Sequence, residues 1–598
     1  MGAIQPRHVF LTLFIVSVIY GGTSADYCSN PPPGIPWMVR GVDITKLDVL
    51  PLDITRLNGY KSPVLGLTCQ RERSWPSGGV RYNIPDQVWT ITSTPRGLLP
   101  SNVHLYKTTA DVRNAMQLAV GGKGNIWKFS FSDSALFKQM QNEIVKMNRF
   151  ISDASATDPV SRVDLLPPWD LHLNMYAKEY LEKKIGNTTY TENTTAYHSF
   201  IDQFGTHYFS VAKFGGSIRV LYETQITYTS YPGRTDEQAK QGTLASFQTV
   251  LENLGAKYTD SSTSRSYSRN YRFGAPTQDY SFDSRSTYTI KFYGGTTTHL
   301  TSNGIQAWQP TVNSSPWLIS GQLQSISDLI QDDTQKTGME KAVEQHILRR
   351  YLVELRRLLE IGKAKFGQAV GGLETRLAAI EGLSVGNLVE ADIETLQVSI
   401  ESVAEVPEWF LENTNLCYLW RADSTNGQCD SSRNSQGSLC EKVGQMTPWY
   451  YDNTDDRAGG CRMQWGIFSR NYESWFKEVQ ICYRWVSDGT ASQCSNKASG
   501  MVCAPVDSYT TFYRDDTNNS PGGCKMSWRL VVPSAAPKWI RQLMMCFSWY
   551  PTGNINQCGP APSRDICATA NEWTPYYRDN TFWLHGGCRM SWGLKFNF

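Results

Sequence analysis

Long apolar runs are nearly missing from this sequence of 598 residues. One stands out, VFLTLFIVSVIY at residues 9–20, and no later segment approaches it. It falls short of the ~20 apolar residues that a membrane-spanning helix needs, so no helical anchor is expected. Arg7 and His8 precede it, and Gly-Gly, then Thr23, Ser24 and Ala25, follow. A basic start, a short apolar core and small residues before Asp26 read as a secretory signal peptide at residues 1–25. The mature chain is therefore expected to be secreted, extracellular and water-soluble.

A charge imbalance is missing too. Lys and Arg number 57 against 55 Asp and Glu, a formal charge of +2, which indicates no nucleic-acid partner. No His-Glu-x-x-His motif occurs. The stretch YHSFIDQFGTHY at residues 197–208 does hold two histidines, but His198 and His207 are nine apart, which is not a single-face helical pair. Without further ligands at metal spacing, no enzyme, metal or cofactor is expected.

Cysteine is almost absent from the first 416 residues, where only Cys28 and Cys69 occur. The other twelve fall into three sets: Cys417, Cys429, Cys440, Cys461; Cys482, Cys494, Cys503, Cys524; and Cys546, Cys558, Cys567, Cys588. The first gap is 12 and the last 21 in every set, while the middle gap is 11, 9 and 9. CYLW, CYRW and CFSW open the units, and GGCRMQW, GGCKMSW and GGCRMSW close them. That is one module in three copies. Short aromatic-rich runs between Gly, Asn and Asp turns predict antiparallel β, and units so small need disulfides for stability. Four cysteines allow three pairings. The favoured one joins first to fourth and second to third: Cys417–Cys461 with Cys429–Cys440, Cys482–Cys524 with Cys494–Cys503, Cys546–Cys588 with Cys558–Cys567. Opening and closing runs would then be neighbouring strands. Cys28 pairs with Cys69, or one cysteine serves another chain. Trp420, Trp485, Trp549 and the aspartates Asp452, Asp515 and Asp579 read as core and turn residues rather than sugar or calcium ligands. The module as a whole is expected to dock a partner or a surface.

Upstream, Val343, Ile347 and Tyr351, with Leu348, Leu352, Leu355 and Leu359, recur at helical spacing, and Ile393, Leu396, Ile400 and Val403 continue it. Pro407 closes this region, which puts a linker at 405–416 before repeats at 417–480, 481–544 and 545–598. Residues 218–228 and 280–292 alternate with period two, long for strands that ordinarily run about five to six residues. Trp127, Phe129 and Phe131 alternate likewise. A helical face of Leu136, Met140, Ile144, Met147 and Ile151 follows, and polar residues 152–158 then lead to Pro167-Pro168. Asn187, Asn193, Asn313 and Asn518 begin Asn-x-Ser/Thr triplets and are glycosylation candidates.

YHSFIDQFGTHY resembles the signature of the membrane-attack-complex/perforin superfamily through Tyr197, Phe200, Ile201, Phe204, Gly205, Thr206, His207 and Tyr208. Gly215-Gly216 opening one long strand, Gly294-Gly295 ending another, and WLISGQLQSISDLI at 317–330 extend the likeness over roughly residues 26–380, in a domain placed at 26–404 with its closing helices. The resemblance implies an α+β fold: a bent, twisted four-stranded antiparallel sheet carrying two helical clusters, here about 121–158 and 232–289. It further implies that many copies assemble as a ring on a target-cell lipid membrane and that each cluster unfurls into an amphipathic β-hairpin. The glycine pairs would mark the sheet bend. A perforin-like chain with a Cys-rich tail also resembles the larger chain of egg toxins in which such a chain is joined to a lectin chain, implying a disulfide-linked lectin partner and an egg-fluid location. Arg265 and Arg269 share a parity with Tyr267, Tyr271 and Phe273 in the second insertion. A non-lytic binding or egg storage protein therefore stands beside the pore-forming toxin as a second reading.

Overall fold

A computed structural model describes residues 28–597 except 52–58, 95–96, 101–102, 123–127, 148, 226–235, 254–270, 273–286, 297–303, 385, 423–435, 453–460, 471, 488–493, 495–496, 516–523, 535, 552–564 and 580–587. Residues 1–25, expected as a signal peptide, lie outside it. The fold is α+β, an antiparallel sheet with helices followed by an all-β, disulfide-rich tail.

Two long strands form the spine of the sheet. β1 (Arg149–Leu165) pairs with β2 (His207–Gln225) from Arg149↔Gln225 to Asp164↔Val211. The outer edge of β1 takes three short pieces, Val88–Ser93, Leu99–Pro100 and His104–Tyr106. The other edge of β2 is shared. β3 (Thr287–Tyr293) pairs with residues 217–223, and β4 (Trp317–Ser325) with residues 207–215. Period-two alternation located β2 and β3 but started the first too late, because β2 begins at His207, and residues 226–228 and 280–286 of the expected strands lie outside the described residues.

Two expectations upstream are corrected. Residues 152–158 are the middle of β1, not a polar lead to a turn. Ala154 and Ala156 pack in one core, while Asp153, Ser155 and Thr157 line a cavity on the opposite face. Small residues on one face and polar ones on the other hide the strand from a hydrophobic count. Phe129 and Phe131, read as strand, lie in a tight turn where Phe131 has φ 65°, and that turn buries both rings.

The helices follow their caps and periodicity. α1 (Thr109–Ala119) starts in a capping box of Thr108 and Asp111, and α2 (Ala135–Val145) is capped by Ser134. α3 (Thr194–Phe204) precedes β2, and α4 (Asp236–Asn253) lies between β2 and β3. α5 (Gly304–Val312) precedes β4. α6 (Asp333–Phe366) buries Val343, Ile347, Leu348, Tyr351, Leu352, Leu355 and Leu359, and α7 (Glu390–Glu405) buries Ile393, Leu396, Ile400 and Val403. Burial of such stripes, at about 25 cal/mol per Å² of apolar surface, is what holds the helices to the body. The segment 405–416 is not a free linker. It contains α8 (Glu408–Asn413), whose Trp409 and Phe410 pack in the tail core against Phe476 and Trp539 at 5.6 and 4.8 Å between rings.

In each tail repeat the opening strand runs between the second and closing strands. The disulfides correct the expected pairing. Cys417 bonds Cys440, Cys482 bonds Cys503 and Cys546 bonds Cys567, each pair directly opposite across two strands with Cα atoms 4.0 to 4.1 Å apart. Cys494 bonds Cys524. First thus joins third, which excludes Cys417–Cys461, Cys429–Cys440, Cys482–Cys524, Cys494–Cys503, Cys546–Cys588 and Cys558–Cys567. Opening and closing strands are indeed neighbours, yet their register places Cys417 opposite Gly466 and Cys461 opposite Ala422. That offset of about five residues spans roughly 17 Å at ~3.4 Å per residue, whereas a disulfide needs Cα atoms within about 7 Å. Cys429 and Cys558 lie outside the described residues. Cys28 bonds Cys69.

Each repeat also lends a strand to a neighbour. Tyr513–Asp515 of the second pairs with Cys461–Phe468 of the first, Tyr577–Asp579 of the third with Cys524–Val531 of the second, and Tyr450–Asp452 of the first with Cys588–Phe596 of the third. The cycle closes around Trp465, Trp528 and Trp592, whose ring centroids lie 5.5 to 5.8 Å apart. Thr510, Thr574 and Thr447 bond the backbones of these tryptophans in the same way, each donating its N–H to the carbonyl and accepting the indole residue's N–H at its hydroxyl. Trp528→Ala is expected to cost about 3–5 kcal/mol, the usual penalty for emptying a packed aromatic site. Denaturant unfolding followed by tail tryptophan fluorescence measures it, and a loss below about 1 kcal/mol would show that the axis does not hold the repeats together.

Candidate functional site

The signature forms a knot where a helix becomes the longest strand. Asn193 caps α3, and Tyr197, Phe200, Ile201 and Phe204 bury its inner face. Gly205 ends the helix at φ 90°, its N–H bonded to the Ile201 carbonyl at 2.7 Å. A Cβ there would lie 2.6–2.7 Å from the Val42 backbone, so glycine is required twice over, for the dihedral and for the approach. Thr206 then fastens the strand Arg40–Val42. Its N–H and hydroxyl both donate to the Val42 carbonyl, at 2.8 and 3.0 Å, and its Oγ1 accepts from the Ile44 N–H at 3.0 Å. Tyr208 donates to Gln324 on β4.

The two histidines of the motif work apart. His198 Nε2 meets the Tyr190 hydroxyl at 3.0 Å, and His207 Nδ1 meets Thr206 Oγ1 at 3.0 Å. Burial pushes the His207 imidazole down to about 4, against the opposing pull of Asp43. Asp43 is itself bound to Thr45 and to His346 on α6. Burial pushes its carboxyl up, but the His346 and Thr45 hydrogen bonds outweigh that and hold it well below the usual range. Among the described residues no group of three or more His, Cys, Asp or Glu side chains could hold a metal. One Gly-x-Ser-x-Gly string does occur, at residues 382–386. It sits in the turn before α7, not in the strand-to-helix elbow of a hydrolase nucleophile, and Ser384 accepts a hydrogen bond from Asn387.

Higher on β2 the glycine pairs meet. Gly215 is the last partner of β4, Ser217 is the partner of Tyr293 on β3, and Gly294 follows. A Cβ on Gly216 would strike the Trp308 ring at 2.5 Å, and one on Gly294 would strike the Gly215 carbonyl at 2.6 Å. Trp308 on α5 closes the junction by donating its indole N–H to the Gly294 carbonyl at 2.8 Å.

The helical clusters hang from one end of this sheet. The first lies between Tyr106, opposite Ile151, and Arg149 at the start of β1. It therefore spans 107–148, not 121–158, because Arg149 onward is strand. The second leaves β2 at Gln225 and returns at Thr287, opposite Glu223. Most of it lies outside the described residues, as do Arg265 and Arg269. Within it, Phe247, Val250 and Leu251 of α4 pack on Ala154, Ala156 and Val220. Sequence reading missed the contact that holds the first cluster. Arg113 of α1 binds Glu354 of α6 through both carboxylate oxygens, at 2.8 and 3.0 Å, and Glu401 of α7 at 3.4 Å. Gln141 of α2 donates to the same Glu354 at 3.0 Å, and Thr109 donates to Glu405. Burial, with Glu401 nearby, raises the Glu405 carboxyl to about 7. A lone arginine on a helix carries no sequence signal of this kind.

Of the glycosylation candidates, Asn187 is exposed, Asn193 is occupied as a helix cap and as a donor to Lys184, and Asn518 lies outside the described residues. Asn313 follows α5 and is half-buried.

Long paired strands interrupted at a common end by helical clusters, and backed by a long helix, define the perforin-like class of folds. Residues 36–354 match the MAC/Perforin domain, and the chain belongs to that family. It is 30% identical over 585 residues, 98% of its own length and 97% of theirs, to proteins named Perivitellin-2 67 kDa subunit from Pomacea canaliculata and Pomacea maculata. Among solved structures, GNIP1Aa from Chromobacterium piscinae aligns over 92% of this chain and 83% of its own with 11% identity and a TM-score of 0.38.

His207 generates a pH prediction. Its folded-state value of about 4 lies below the ordinary 6.5, so the unfolded chain binds the extra proton between those values. This contribution to stability is intact above pH 6.5 and is lost as pH falls towards 4. The melting temperature of the parent should therefore drop relative to His207→Gln across that window. Parallel pH profiles for the two proteins would contradict a buried neutral imidazole.

Proposed function

We propose that the protein is a secreted pore-forming toxin or defence protein that assembles as a ring on a target membrane and converts both helical clusters to β-hairpins. The carrying observation is the register just described: Tyr106, Arg149, Gln225 and Thr287 share one end of the sheet, so extended forms of both clusters prolong its strands in the same direction. Residues 107–148 and 226–286 each hold chain for two membrane strands of ~9–11 residues and a turn. Strand hydrogen bonds can be satisfied inside lipid only in a closed barrel, so insertion follows assembly of many copies. Among the described residues no helix is long and apolar enough to cross a membrane. The junction of Gly215, Gly216, Gly294 and Gly295 is assigned as the bend about which the sheet opens, and the signature as the anchor of its lower end.

The three-repeat tail supplies target recognition, alone or with a second chain. The relatives' name describes a subunit, which supports a partner, and a lectin chain is our assignment for it. Every described cysteine is already bonded, Cys461 and Cys588 included, so a disulfide to that partner would replace one of the bonds within this chain. Gel mobility with and without reductant reveals such a link.

Cysteines introduced to tie α4 to β1 are expected to abolish dye release from liposomes until reductant is added. Equal leakage in the oxidised and reduced forms would sink the hairpin mechanism. A parent protein that releases no dye from any target membrane would instead favour the non-lytic egg storage or binding reading.

A further inference from the structure

The face of the sheet turned away from α4 is incompletely filled. Under α1, the strands β1 and β2 floor a cavity of about 700 Å³, within the ~300–1,000 Å³ of typical small-molecule sites. One wall is apolar, built from Leu47, Leu50, Ala115, Met116, Phe131 and Leu136. The floor holds Asp153, but its charge is spent. Arg219 binds both its oxygens, at 2.9 and 2.7 Å, and Tyr106 donates to it at 2.8 Å.

At the exposed rim the balance differs. Arg162 and Lys213 stand directly opposite each other on β1 and β2, an arrangement of like charges that destabilises a strand pair. Asp164 neutralises Arg162 through both oxygens at 2.8–3.1 Å. Lys213 has no carboxylate partner among the described residues, so the rim keeps one surplus cation beside the apolar wall. A neutral apolar ligand would leave that ammonium uncompensated, and a small anion would leave the wall uncovered.

We propose that this cavity binds a single-chain anionic amphiphile, its acyl chain along the wall formed by α1, Phe131 and Leu136 and its acidic head at Lys213 and Arg162. A fatty carboxylate and a lysophospholipid phosphate present the same chemistry, a monoacyl chain ending in an anion, and the test separates them.

Oleate, oleoyl lysophosphatidate and oleyl alcohol are titrated below their aggregation limits into the purified full-length protein by calorimetry. At least one anion should saturate one site per chain and bind about ten-fold or more tighter than the alcohol, with the tighter anion naming the headgroup. Lys213→Glu, at an exposed position, should weaken that binding about ten-fold or more without lowering the melting temperature. Met116→Trp, which fills the cavity, should abolish it in protein that retains the parent circular dichroism spectrum. The proposal is overturned if neither anion saturates a site, if the alcohol binds as tightly, or if Lys213→Glu leaves the affinity unchanged.

Discussion

A strand of nineteen residues must have both edges occupied, and that requirement organises the perforin-like body. Buried N–H and C=O groups without partners each cost about 1–3 kcal/mol, so β2 cannot present a bare edge in the interior. β1 meets the requirement on one side in a nearly continuous ladder. On the other side no single strand does. β3 and β4 divide the edge and meet beside Gly215 and Gly216, where a chain enters from Gly294 and leaves past Trp308. Three backbones and an indole crowd that point, which is why side chains are missing there. The signature meets the same requirement at the lower end, where Thr206 binds Val42 and Ile44 and so fixes where β2 starts.

The two clusters are held on this sheet by different physics. α4 rests on an apolar patch through Phe247, Val250 and Leu251, a non-directional contact that can be given up and regained against another apolar surface. α1 and α2 are held by a buried ionic group. Arg113, stacked on Phe137 and Tyr351 at 4.7 and 5.1 Å, is enclosed by Glu354 and Glu401. Desolvating such ions cancels much of their attraction, yet separating them inside the protein leaves a charge without compensation, at about 3–5 kcal/mol. The latch thus adds little net stability but makes partial release of the first cluster unfavourable. It favours all or nothing.

Legibility in the sequence followed the range of each interaction. Local periodicity located α6 and α7, since Ile347, Tyr351, Leu355 and Leu359 announce one buried face. Glycine and the Gly-Thr-His string pointed to the signature region, because their constraints are backbone constraints. What failed was non-local. Residues 152–158 look like loop because their strand has alanines on one face and a polar cavity on the other. Cys417 and Cys461 look like partners until the register of two strands is known. Arg113 gives no hint of Glu354, which is 241 positions away. Trp409 and Phe410 look like linker because the core they enter belongs to the following repeats.

The tail shows why a repeat count can be a structural requirement. Each module has an edge, Cys461–Phe468 in the first, that its own chain does not cover, and each has a short Tyr-x-Asp strand that finds no place at home. An uncovered edge invites pairing with another chain, a hazard in a protein at high concentration. Two modules exchanging strands one way would still leave one edge and one strand unused. Three close the ring and bring Trp465, Trp528 and Trp592 to one axis, so the aromatic core exists only once the last exchange is made. The disulfides staple strands within a module and cannot supply that closure. Exchange of a three-residue strand, not the covalent bond, therefore makes the tail one unit, and α8 seats the body upon it through Phe410.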